Sequence, residues 1–454
     1  MDDLIYRSAV NLTRMVRARQ VSAVEIVEAH LAQIARQNPA LNAVVTLDAE
    51  GALSQARAID SNHTDGALLG VPITLKDCHE TAGMRTTSGY PPLAGYIPAE
   101  DGTVARRLRA AGTIVVGKTN VSPLLADSQS DNAVFGRSSN PWELSRTPGG
   151  SSGGAAAAVA AGMTPLDIGS DIGGSIRMPA HCCGIMGIKP TERRVSNHGH
   201  IPDLPEHPRG ARIMNSIGPM ARDIDDLALA LAIIEGPDGY DTDVPPAPAD
   251  GLPALPELAL DSIPLAFATS FPGLPVSADT RSAIERVASA IDTAGGRIEE
   301  RLPAIDFDEQ IAVRATLRRY ARIFTEPPDE PLRADDYFRA LNRRDHFIHA
   351  WQAFLGNGAF ICPVMMTTAF SHCPRDTPVI VDGIEYPYSF VADYCRPFNL
   401  TGHPVVTIPV ALATDGLPIG IQIVGPHWSD ARLLAIAKAI AAVVEPIGTP
   451  HVSS

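Results

Sequence analysis

The run TPGGSSGGAAAAVAAG, Thr147 to Gly162, constrains this chain more than any other stretch. Glycines flank two adjacent serines and lead straight into an alanine-rich segment. Glycine is placed where the backbone takes positive φ or where another group comes close to it. A phosphate-cradling P-loop needs a lysine followed by Ser or Thr after its last glycine, and here alanines follow. A dinucleotide loop needs spaced glycines directly after a strand, whereas the preceding NPWELSRTP reads as loop. A tight turn entering a small-residue helix accounts for the glycines and alanines. It leaves Ser151 and Ser152 unexplained.

The surrounding pattern is α/β. SAVEIVEAHLAQIARQ opens with a capping box, Ser22 and Glu25, and carries Val24, Val27, Leu31 and Ile34 at helical spacing. LLGVPITLKD reads as a buried strand ending at Lys76, and AAGTIVVGKTN as a helix end, a glycine and a second apolar strand. Strands alternating with helices indicate a sheet with helices packed on it. Further strands are expected at Ile263 to Ala268 and on either side of the turn Thr414, Asp415, Gly416, with helices from about Asp279 and over DARLLAIAKAIAAVVE. The Pro- and Asp-rich segment Glu235 to Glu257 reads as a surface connection.

With 454 residues, 45% of them hydrophobic and 19% charged, the chain buries a large core. The formal net charge of −14 argues against a nucleic-acid surface, which needs clustered Lys and Arg. No apolar run reaches membrane-spanning length, and MDDLIYRSAV has aspartates where a signal peptide carries basic residues, so the expected location is cytoplasmic, with no membrane partner. The six cysteines form no CxxC pair. Adjacent Cys182 and Cys183 beside His181, and His346 with His349 one helical turn apart, lack the further ligands of a metal site and read as core and helix surface respectively.

A second glycine and serine element, GSDIGGSIRMPAHCCGIMGIKP, follows fewer than thirty residues on. Ile172, Gly173 and Gly174 lead into Ser175, so successive backbone N–H groups can converge beside a hydroxyl, as an oxyanion hole requires. A serine nucleophile needs a base, and lysine serves when burial disfavours its charge. Lys76, at the end of an apolar strand, is the candidate.

Together GGSSGG, GSDIGGSIRMPAHCCGIMGIKPT, GVPITLKD and NLTGHP with DGLPIGIQIVG resemble the amidase signature family of serine hydrolases, in order and spacing, over most of the chain. The resemblance implies a single large α/β domain over residues 1–454, with a central mixed, twisted sheet covered by helices on both faces and a variable pocket region over 302–394. It implies a Ser, cis-Ser, Lys triad: Ser175 as acylating nucleophile, Ser151 as the bridging serine after a cis peptide, Lys76 as base. The N–H groups of Ile172, Gly173, Gly174 and Ser175 form the oxyanion hole. Ser152 packs and bonds within the loop, Ser170 supports it, and Arg177 has two readings, receiving a substrate carboxylate or, preferred, a structural pairing with Asp171. No metal or organic cofactor is implied, and a homodimer is allowed.

The chain departs from the family pattern at Glu192, Arg193 and Arg194, around Met214 to Ser216, and at His181, where a packed histidine is the preferred reading. Those departures favour a stand-alone amidase acting on a small or aryl amide, with a small-molecule substrate and no nucleic-acid partner. The glutaminase subunit of a tRNA-dependent amidotransferase, which needs partner subunits, stands second, and an inactive amidase-like scaffold third. Retention of Lys76, Ser151 and Ser175 argues against the scaffold.

Overall fold

The structure, a computed structural model, describes residues 2–62, 65–202, 211–246, 255–323, 326 and 328–451. Residues 247–254 of the expected surface connection lie outside the described residues. Eleven strands form one sheet: β1 (Val44–Leu47), β2 (Pro72–Lys76), β3 (Ile114–Thr119), β4 (Leu166–Asp171), β5 (Met186–Lys189), β6 (Ser216–Ala221), β7 (Pro264–Phe267), β8 (Arg297–Glu300), β9 (Ala359–Pro363), β10 (Val405–Leu412) and β11 (Pro418–Val424). Their spatial order is β1-β3-β2-β4-β6-β5-β10-β11-β9-β7-β8. The sheet is mixed. β2 runs parallel to both β3 and β4, whereas β4 with β6 and β10 with β11 are antiparallel.

Alternation along the strands divides the interior into two cores, one on each face. Ile114, Val116, Phe360, Cys362 and Val405 join the core that holds helices Ala23–Leu41, Gly153–Ala160 and Arg177–Cys183. Val115, Ile361, Val406, Ile408 and Ile421 join the opposite core, beneath helices Ile224–Ile234, Ala278–Thr293 and Asp430–Ala441. Helices therefore cover both faces, as the resemblance implies. No helix among the described residues is long and apolar enough to cross a membrane.

The local signals act as read. Ser22 accepts from the Glu25 N–H at 3.1 Å, and Glu25 accepts from the Ser22 N–H at 2.8 Å, closing the capping box. The aromatic and methionine residues of 302–394 mostly fill core, with Trp351, Phe360, Met365, Met366 and Tyr394 all buried. His346 and His349 lie exposed on the helix Ala334–Leu355.

Candidate active site

The parallel pair β2 and β4 brings Lys76 and Ser170 to the same edge of the sheet, because both strands end there. Helix Gly153–Ala160 packs on that region and delivers the glycine loop to Lys76. Lys76 Nζ donates to Ser151 Oγ at 2.8 Å and to Ser170 Oγ at 3.1 Å. The side chain is fully buried, and that desolvation lowers its pKa to about 8, against the attraction of Cys78, Asp171 and Asp167. The Gly150–Ser151 peptide is cis. Asp77 turns elsewhere, accepting the Thr87 N–H at 3.1 Å, and burial raises its carboxyl to about 6.

The glycines are there for close approach. A Cβ on Gly150 would sit 2.6 Å from Gln129 N, and one on Gly154 2.3 Å from Asn120 N, distances no side chain tolerates. Ser130, which no local pattern singles out, fastens this loop: its hydroxyl accepts the Gly153 N–H at 2.9 Å and faces the carbonyls of Gly149 and Ser151, each at 3.2 Å. Ser152 departs from expectation. Its hydroxyl is buried with no partner among the described residues.

Asp171 and Arg177 form the frame of the second element. Both are fully buried, with Arg177 Nε and Nη2 donating to the carboxylate at 3.0 and 2.9 Å. Arg177 also donates to Asn399 Oδ1 at 2.6 Å, Gln422 Oε1 at 2.7 Å and the Cys395 carbonyl at 2.8 Å. Its five N–H groups are all used, so none is left for a substrate. Burial alone would raise the Asp171 carboxyl, but Arg177 and the bond from Asn399 hold it well below the usual carboxylate range. Asn399 and Gln422 were missed by sequence reasoning. Gln422, a polar residue inside the apolar strand PIGIQIV, is the signal that was there to find. Replacing Arg177 by Met, which strands a buried carboxylate, is expected to cost about 3–5 kcal/mol in a urea titration.

The same carboxylate corrects the donor set. Gly174 N–H donates to Asp171 Oδ1 at 2.8 Å, so it is spent on holding the turn. The N–H groups of Ile172, Gly173 and Ser175 have no acceptor among the described residues. Ser175, 7% exposed, follows directly, and its hydroxyl makes no hydrogen bond to any described residue. The structure thus joins Lys76 to Ser151 and leaves Ser175 unbonded. In enzymes without substrate, catalytic hydrogen bonds are often long or unformed and tighten only in the complex. His181 is a packed core residue: Gly420 N–H donates to its Nδ1 at 3.0 Å, which leaves Nε2–H to donate to the Thr367 carbonyl at 3.1 Å. Burial lowers its pKa to about 4, so the ring is neutral. Among the described residues no group of three or more His, Cys, Asp and Glu is placed to hold a metal ion.

The family model described as Amidase matches residues 25–330 and 316–434. The chain belongs to the Amidase family. Solved structures share the fold: a bacterial aryl acylamidase of the amidase signature enzymes (TM-score 0.83, 24% identity, 96% of each chain) and 6-aminohexanoate cyclic dimer hydrolase (TM-score 0.83, 23% identity, 99% of each chain). Family membership makes the chain an amide-hydrolysing enzyme. Among curated relatives, it is 33% identical to the A subunit of glutamyl-tRNA(Gln) amidotransferase from Salinispora tropica, over 99% of this chain and 100% of that one. It is 34% identical to the protein of the same name from Acidothermus cellulolyticus, over 97% and 95%.

These relatives overturn the first-ranked expectation of a stand-alone amidase with a small-molecule substrate, at most a second copy of itself as partner, and no nucleic acid. The departures that favoured it have structural causes. Arg194 pairs with Glu235 at 2.6 Å and with Asp430 at 3.1 Å, and Glu192 pairs with Arg344, so both lock the segment after β5 to neighbouring elements. Met214 is buried core whose carbonyl accepts from Asn399 at 3.2 Å. Net charge misled for another reason, since it averages over one chain and says nothing of what that chain assembles with.

Proposed function

We propose that this chain is the glutaminase subunit, of the A type, of a tRNA-dependent amidotransferase. The observation that carries this reading is the similarity, along nearly the whole chain, to A subunits of glutamyl-tRNA(Gln) amidotransferases. The side-chain amide of glutamine is the substrate, and the ammonia released is the product the assembly uses. All six cysteines are unpaired, which supports the cytoplasm as its compartment.

The mechanism proposed uses the chain's own groups. Neutral Lys76 takes a proton from Ser151, Ser151 takes one from Ser175, and Ser175 Oγ adds to the amide carbonyl. The oxyanion is held by the N–H groups of Ile172, Gly173 and Ser175, with Gly174 serving the Asp171 turn instead. The relay reverses to protonate the departing nitrogen as ammonia, leaving an acyl-Ser175 ester. Water, activated by the same relay, releases glutamate. No metal or organic cofactor is called for in these steps.

Ammonia release from glutamine by the purified chain tests the reading. Wild type is expected to release ammonia from glutamine at least tenfold faster than amine from aryl amides of uncharged acids. A preference for the aryl amides, by protein that an uncharged fluorophosphonate labels on Ser175, would remove it.

A further inference from the structure

We propose that Arg314 is a specificity residue of this site, receiving a carboxylate carried by the acyl half of the amide substrate. The inference rests on the placement of the reaction at Ser175 given above, and it deepens the substrate assignment.

Arg314 lies on the helix Phe307–Ala321 and is only 9% exposed. Its guanidinium makes no hydrogen bond and no ion pair with any described residue, and its Nε is buried. Arginine is almost never buried without a partner, because removing the charge from water is costly. The acid whose charge reaches it, Asp393, is committed to Arg396. Burial first, then the cations Arg396 and Arg318, push its pKa down, with Asp393 opposing. This is the electrostatic condition of a site that lacks its anion.

Its location ties it to the reaction. A methyl placed on Gly173 would lie 3.0 Å from Arg314 Nη2, so the guanidinium stands over the turn that carries Ser175 two residues later. Ile172 packs against the cluster holding Val313 and Leu317 of the same helix, which fixes helix and turn together. One turn before Arg314, Gln310 is buried with its Oε1 unpartnered among the described residues, an acceptor for an ammonium beside the carboxylate. The contrast with Arg177 is direct, since among the described residues that arginine has every donor filled and Arg314 has none filled.

Glutaramate and glutaramide differ only in that the first carries a carboxylate where the second carries another carboxamide. Wild type is expected to favour glutaramate by about 10²-fold in kcat/KM. Arg314→Gln is expected to lose about 10²-fold on glutaramate through KM, and to stay within about threefold on glutaramide and in Ser175 labelling by an uncharged fluorophosphonate. Arg314→Lys should restore part of the preference, as a point charge without the fork. Glutarate should raise the melting temperature of wild type and not that of Arg314→Met. Absence of the preference in wild type, its survival in Arg314→Gln, or a large loss of melting temperature in unliganded Arg314→Met would each overturn the proposal. Glutaramate turned over with this Arg314 dependence while glutamine is refused would remove the glutaminase reading and support the inference. Glutamine hydrolysed equally well by Arg314→Gln would do the reverse.

Discussion

Ser175→Ala is expected to lower kcat for ammonia release from glutamine by about 10⁴–10⁶-fold, the scale seen when a serine nucleophile is removed. The residual rate would come from the N–H groups of Ile172, Gly173 and Ser175, which are backbone and survive the substitution. Folding should be almost untouched. The Ser175 hydroxyl has no hydrogen-bonding partner among the described residues, so its loss leaves no buried group stranded, and the urea midpoint should stay within about 0.5 kcal/mol of wild type. That pairing of outcomes is diagnostic. Ser151→Ala, by contrast, deprives Lys76 of its 2.8 Å acceptor and should perturb both rate and stability. A mass spectrum after fluorophosphonate treatment locates the adduct independently; an adduct on Ser151 or Ser152 would transfer the nucleophile's role and undo the assignment.

The parts of the site that were legible in sequence are those whose chemistry forces rare residue choices. Glycines at 149, 150 and 154 are forced by backbone atoms closer than a Cβ allows, Gly153 by the side chains of Ser130 and Pro148, and a lysine closing an apolar strand is a buried charge needing a use. Strand and helix positions followed from periodicity, since the two-faced sheet writes its alternation into Ile114, Val115 and Val116. What was illegible depends on contacts far apart in the chain. Ser130 lies about twenty residues from the carbonyls it fastens, and Asn399 and Gln422 lie more than two hundred from Arg177. Nothing local in the sequence announces those pairings. The oxyanion set shows the same limit at short range: four consecutive N–H groups looked equivalent until Asp171 turned back to claim Gly174. The choice between a lone amidase and a component of an amidotransferase failed because Glu192 and Arg194 were weighed as departures from the family pattern, whereas they are ion-pair partners of Arg344, Glu235 and Asp430.

Lys76→Met is expected to abolish the pH-dependent part of the activity and, at neutral pH, to make the protein more stable. The relay needs Lys76 neutral. With its pKa lowered to about 8 by burial, only about one tenth is neutral at pH 7, so kcat/KM of wild type should rise nearly tenfold per unit below pH 8 and level off above about 9. Lys76→Met should lose about 10³-fold or more and show no such limb. A double variant with Ser175→Ala should be little worse than Ser175→Ala alone, because the two residues act as one unit. Stability follows from the same shift. In the unfolded chain the amine has its ordinary value of 10.5, so between pH 8 and 10.5 the unfolded state binds more protons, and wild-type stability rises with pH across that window. Below pH 8 the buried ammonium is charged in both states and its desolvation penalty, about 3 kcal/mol, is fully present. Methionine removes the penalty but leaves Ser151 Oγ and Ser170 Oγ without their donor, about 1 kcal/mol each. The variant should therefore gain about 1 kcal/mol at pH 7, and the gain should vanish and reverse by pH 10, where wild-type Lys76 is neutral. Urea titrations at the two pH values decide it: a loss of stability at pH 7 equal to that at pH 10 would mean Lys76 is not held against its charge, and the base would have to be sought elsewhere.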